Sequence, residues 1–128
     1  MSGLRLVVEP GELAVARLAP DAEVPTWATA GTFTTVTRTP AELSIVCAAD
    51  AVPGDVTAQA GWRVLRLEGP FAFELTGILA AVLTPLAAAQ VPIFALSTYD
   101  TDWVLIPGAR LGDAVAALRA AGHAVTTA

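Results

Sequence analysis

From Leu75 to Tyr99 the chain runs for 25 residues without a charged side chain. No other stretch limits the possible folds as much. A run of this length is long enough to span a bilayer, yet its internal punctuation argues against a span. Pro85 and Pro92 interrupt it, and Gln90 lies between them. The period changes as well. Leu75, Leu79 and Leu83, with Ile78, Val82 and Leu86, recur at helical spacing, whereas Val91 to Thr98 reads as a strand. A buried helix that turns into a buried strand accounts for both features, so no membrane partner is expected. Pro85 falls well inside that helix. It has no N–H to offer the carbonyl of Ala81 and is expected to kink the helix there.

The overall apolar fraction, 55% of 128 residues, needs the same correction. Alanine supplies 27 of those residues, and the larger apolar side chains make up roughly a third of the chain, which suits a globular core. There is no lysine and no asparagine, and all seven basic residues are arginine, scattered along the sequence. With 12 acidic residues the net charge is −5, which leaves no basic footprint for nucleic acid. The single cysteine, Cys47, rules out an internal disulfide framework and a cysteine-rich zinc site. No cofactor or metal is implied. The first ten residues hold no long apolar leader, so a cytoplasmic location is expected.

Around the uncharged run the pattern is regular. Trp62–Glu68 reads as a strand and Gly69-Pro70 ends it. A helix over Leu75–Ala89, a strand over Pro92–Thr98, a turn at Tyr99–Asp102 and a strand over Trp103–Ile106 follow. A helix over Arg110–Ala121 with Gly122 as its terminator, then a strand over His123–Thr127, complete the series. The order β-α-β-β-α-β predicts an α+β, ferredoxin-like arrangement with two helices on one face of the sheet. The first half offers strands in comparable order at Leu4–Val8, Leu13–Leu18, Thr32–Arg38 and Leu43–Ala48, with helices nearly absent. It reads as a degenerate copy of the same unit. Asp50 to Gly61, rich in small and turn-forming residues, is the expected boundary, giving units 1–60 and 61–128.

Two loops of the second unit should lie close together. A crossover helix makes the second strand parallel to the first, so the first strand exits on the side where the second ends. The loop FAFELTG (71–77) and the loop STYDTD (97–102) then flank the start of the first helix. A helix N-terminus offers free N–H groups to a carboxylate, with Thr76 and Gly77 as the expected donors. Glu74, Asp100 and Asp102 supply negative charge for an ammonium. The combination complements a free α-amino acid. Glu74 and Thr76 read equally well as helix caps, and Asp100 as a turn residue. Catalysis finds little support. His123 is far in sequence from any carboxylate pair, Cys47 sits in an apolar strand, and no catalytic or phosphate-binding motif is present.

The run GWRVLRLEGPFAFELTGILAAVLTPLAAAQVPIFALSTYDTDWVLIP (61–107) resembles the ACT-domain regulatory family. Within that family it is similar to short bacterial proteins with two tandem ACT units. These are related to the regulatory region of aspartate kinases and to the cytosolic arginine sensor of animal cells. The segments VPTWA (24–28), FTTVTRTPAELSIVC (33–47) and VPGDV (52–56) share the likeness, which therefore covers most of the chain. The resemblance implies an ACT fold built as two tandem units, the first degenerate. It also implies a non-catalytic module that binds an amino acid where two ACT units pack side by side, in a homodimer. The residues it points to are Glu74, Leu75, Thr76, Gly77 and Ile78 on one side, and Ser97, Thr98, Asp100 and Asp102 on the other. The alternative is an interaction and dimerisation module that no longer binds a ligand.

Overall fold

A computed structural model describes residues 3–128. The strands are β1 (Arg5–Val8), β2 (Leu13–Leu18), β3 (Thr35–Arg38), β4 (Leu43–Ala48), β5 (Thr57–Leu67), β6 (Phe94–Ser97), β7 (Asp102–Pro107) and β8 (Ala124–Thr127). The helices are α1 (Ile78–Ala88) and α2 (Leu111–Ala120). The chain divides into two compact units. One joins the segment ending at Pro10 to Arg63–Ala128, and the other is Gly11–Trp62.

In the larger unit the sequence order β5-α1-β6-β7-α2-β8 is the predicted β-α-β-β-α-β series. The strands lie in the order β6-β7-β5-β1-β8. A simple ferredoxin-like unit would place β8 beside β5. Here β1 stands between them, antiparallel to β5 (Leu6 opposite Leu67, Val8 opposite Leu65) and parallel to β8 (Leu6 opposite Val125). The reason is visible in the core. Leu6 and Val8 share one face of β1, and both are buried with Leu65 and Leu67 of β5 and Val104 and Ile106 of β7. Ile78, Val82 and Leu86 of α1, with Ala114 and Leu118 of α2, cover that face. The division at residue 60 assigned β1 to the first half; its backbone pairing ties it to the second.

The smaller unit carries strands in the order β3-β4-β2-β5, all antiparallel. Numbered by sequence this is 2-3-1-4, the order a β-α-β-β-α-β unit produces. Two short 3-10 turns, Thr26–Thr29 and Ala49–Ala51, stand where helices would be. Its core is small: Ala16, Ala28, Leu43, Ile45 and Cys47, with Trp27 packed against it. Arg38 donates to the carbonyls of Pro20 and Ala22 and so fastens the segment leading into the first turn.

Several boundaries differ from the sequence pattern for local reasons. β5 begins at Thr57, although the alternation in TAQAG carries only alanine and no large apolar side chain. Its backbone partner is β2, with Arg17 opposite Thr57 and Leu13 opposite Trp62, so ladder hydrogen bonds rather than side-chain burial define it. The first helix begins at Ile78, not Leu75, because Gly77 sits at φ 79 and turns the chain before the helix can start. β3 starts at Thr35 rather than Thr32. No helix among the described residues is long and apolar enough to cross a membrane.

Pro85 lies inside α1 as expected. The carbonyl it leaves without a partner, Ala81 O, is held by His123 Nε2 at 2.9 Å. The other ring nitrogen, Nδ1, accepts the N–H of Leu4 at 3.2 Å. A ring that accepts at Nδ1 and faces a carbonyl at Nε2 is the neutral Nε2–H tautomer. His123 is thus a buried structural residue joining α1 to the chain just ahead of β1.

Candidate functional site

The site is built where β5 and β6 end. β5 gives way at Leu67 to a cis Gly69-Pro70 bond, then to a loop that returns to α1. The loop is pinned at Phe71, whose N–H donates to the carbonyl of Asp100 at 2.9 Å. It tightens again at Leu75, whose N–H donates to Ala72 O at 3.1 Å. Gly69 permits this approach. A Cβ there would stand 2.9 Å from the Asp100 carbonyl oxygen and 3.3 Å from the Thr101 side chain.

The facing turn, between β6 and β7, is cross-braced. Thr98 N–H donates to Thr101 O at 2.8 Å and the Thr98 hydroxyl donates to the same carbonyl at 3.1 Å. Trp103 Nε1–H donates to Thr98 Oγ1 at 2.9 Å. The Ser97 hydroxyl donates to Asp102 Oδ1 at 2.5 Å, so this carboxylate is engaged across the hairpin. Thr101 is buried, and its hydroxyl donates to the carbonyl of Leu67 at 2.6 Å, which locks the turn against the end of β5.

Between loop and turn lies a cleft of about 210 Å³. Of the residues expected at the site, Leu75, Ile78, Ser97, Thr98, Asp100 and Asp102 line it. Glu74, Thr76 and Gly77 do not. The later helix start explains part of this. Gly77 is the residue before the helix, it makes no side-chain cap, and Ala81 N–H to Gly77 O at 3.0 Å is the first bond of the helical ladder. The N–H groups of Ile78, Leu79 and Ala80 therefore head the helix. Neither Glu74 nor Thr76 caps it.

The cleft also contains side chains the loop argument passed over. Phe71, Phe73 and Tyr99 form much of its wall. The Phe73 and Tyr99 rings meet edge to face, with centroids 4.9 Å apart and planes at 78°. Phe71 packs against the core, whereas Phe73 and Tyr99 are exposed, and the signal was Phe73, a second ring in a short loop that the core does not take up. No lining residue is cationic.

The residues weighed for catalysis lie elsewhere. His123 is occupied at both nitrogens, as described above. Cys47 belongs to the core of the smaller unit, where burial first and the charge of Asp50 second push its thiol pKa up. That is the opposite of an activated nucleophile. Among the described residues no cluster of His, Cys, Asp and Glu has the arrangement to hold a metal ion.

Comparison with known proteins agrees with this architecture. The sequence profile of the ACT domain matches residues 57–120, and a second profile, for an N-terminal domain, matches residues 11–55. The solved structure of a protein from Agobacterium tumefaciens superposes with a TM-score of 0.94 at 38% identity. The match covers 100% of this chain and 96% of that one. The human cytosolic arginine sensor for mTORC1, subunit 1, is 36% identical over 59 residues, 45% of this chain; the match spans only 18% of the sensor's length. The regulatory subunit of aspartate kinase from Thermus thermophilus shares the fold. Its TM-score is 0.62 at 11% identity, over 89% of this chain and 93% of that one.

Proposed function

The chain belongs to the ACT domain family, and on that premise we propose that it is a non-catalytic regulatory module that binds a free amino acid in the cleft between Phe71–Ile78 and Ser97–Asp102. One observation supports this reading: Ile78, the first residue of α1, and Asp100, from the facing turn, line the same cleft. The helix head supplies N–H donors and a partial positive charge for the ligand carboxylate. Asp100, whose side chain makes no hydrogen bond among the described residues, supplies an acceptor for the ammonium. The likeness to an arginine sensor and to a regulatory subunit of an amino-acid kinase supports the same ligand class. Two copies pair in this reading, with ACT units side by side, in the cytoplasm. Binding orders the loop 71–77, and its preference for one conformer carries the signal.

A thermal-melt screen against the common amino acids tests it. A ligand that binds only the folded state raises the melting temperature in proportion to the logarithm of its excess over Kd. At least one amino acid at millimolar concentration should produce a saturable rise, and substituting Asp100 by Ala should reduce it. A flat response to every amino acid, with dimerisation intact, leaves the chain an interaction module.

A further inference from the structure

The head of α1 is fastened by a side chain from near the other end of the sequence. In an unbroken helix the first turn is tied to the next by N–H groups one turn on. Ala81 O faces Pro85, which has no N–H to give and whose ring crowds that carbonyl. Its bond goes to His123 Nε2 instead, at 2.9 Å. On its other side the first turn begins at Gly77, where φ is 79 and the chain swings into the helix. The turn thus lies between a bend and a missing rung, with the histidine as its brace. The same turn brings Ile78 to the cleft and offers the N–H groups that head the helix.

The brace is rigid, and it leads away from the cleft. His123 is 5% exposed. Its own N–H donates to Leu118 O at 3.1 Å, in the last turn of α2. Its Nδ1 accepts the N–H of Leu4 at 3.2 Å, and Leu4 O accepts the N–H of Ala124 at 2.9 Å. Leu4 does not line the cleft. The two ring bonds are not independent: donation at Nε2 raises the electron density at Nδ1, so each strengthens the other. A displacement of Ala81 O is therefore felt at the Leu4 amide, and by linkage the reverse holds as well.

We propose that His123 is a positioning residue of the cleft, setting the head of α1 and coupling occupancy of the cleft to the segment that enters β1. This rests on the amino-acid reading given above and adds to it a regulatory connection for that site. His123 touches no ligand; it acts through Ala81 O. Pro85 creates the connection, because an ordinary residue there would return the carbonyl to the helix.

The isotopically labelled full chain is titrated singly with each common L-amino acid at millimolar concentration and followed by amide and imidazole nitrogen resonances. The natural chain, Pro85→Ala, His123→Phe and the double variant are compared. In the natural chain, an amino acid that shifts the two cleft loops should shift the Leu4 amide and both His123 ring nitrogens with the same Kd. Pro85→Ala touches neither His123 nor Leu4. It should keep the Kd within about twofold and lose most of the Leu4 shift. His123→Phe should bind about fivefold more weakly, the effect of about one hydrogen bond, and the double variant should recover the Pro85→Ala affinity. A merely structural histidine would lower stability in both backgrounds and move neither the Kd nor the Leu4 signal. Where His123→Phe does not fold, the natural chain and Pro85→Ala decide. Loop shifts without a Leu4 shift, a Leu4 shift of equal size in Pro85→Ala, or a folded His123→Phe with natural affinity overturns the proposal and leaves the amino-acid reading standing. So does weakened binding that Pro85→Ala fails to rescue. No shift in the loops with any amino acid removes both.

Discussion

His123 bonds two backbone groups, the N–H of Leu4 and the carbonyl of Ala81, and its removal has a calculable consequence. Substitution by Phe keeps the ring volume and deletes both contacts. The N–H of Leu4 is then left buried without an acceptor, a loss of about 1–3 kcal/mol. The carbonyl of Ala81 loses the partner that stands in for the missing amide of Pro85. Ala81 is only half-buried, so water recovers part of that loss and about 1 kcal/mol is expected. His123→Phe should therefore destabilise the fold by about 2–4 kcal/mol, measured by urea denaturation. The second half of the test is Pro85→Ala. Alanine restores an N–H one helical turn beyond Ala81, so the carbonyl no longer depends on the histidine. His123→Phe should cost about 1 kcal/mol less in the Pro85→Ala background. Additive costs, equal within about 0.5 kcal/mol, would refute the claim that the histidine repairs the proline's gap.

Gly69→Ala brings a methyl group within 2.9 Å of the Asp100 carbonyl oxygen. It should destabilise the chain by about 1–3 kcal/mol and shift the Phe71–Asp100 contact, read as altered amide resonances in both loops. Gln90 occupies the left-handed region at φ 58 just after α1, so Gln90→Gly should raise stability by about 0.5–1 kcal/mol in the same denaturation assay. Cys47 should resist alkylation by iodoacetamide until the chain unfolds, because it is fully buried. Its thiol pKa is raised above 9.0 by burial and then by Asp50, so the folded chain keeps the proton more tightly than the unfolded one. The stability this contributes is whole below pH 9.0 and is lost as the pH climbs through the raised value; a denaturation series across that range checks the sign.

Much of this architecture is written in local patterns. The segments Leu13–Leu18 and Leu43–Ala48 announce strands by β-branched and apolar content, and β2 and β4 have those bounds. The two amphipathic stretches after the Gly-Pro and Pro-Gly breaks are α1 and α2, and the crossover rule brings their flanking loops together. What escaped the sequence pattern depends on partners distant in the chain. TAQAG is a strand because β2 lies beside it, and its alternating alanines, exposed and small, do not announce one. The place of β1 between β5 and β8 rests on Leu6 and Val8 meeting a core formed from the other end of the chain. At the cleft, carboxylates and a helix start drew attention through charge. Phe73 and Tyr99 did not, because an aromatic residue reads by default as core, and only the surface exposure of these two separates them from it. The role of His123 required knowing which carbonyl Pro85 would strand and that a residue 42 positions away would reach it.

The central claim is that the loops Phe71–Ile78 and Ser97–Asp102 together receive a free amino acid. Titration of the isotopically labelled full chain with each common amino acid, followed by amide resonances, tests it most directly. The account predicts that at least one produces saturable shifts concentrated in those two loops and in the first turn of α1. Saturable shifts confined to other parts of the chain, or none with any amino acid at millimolar concentration, would contradict it.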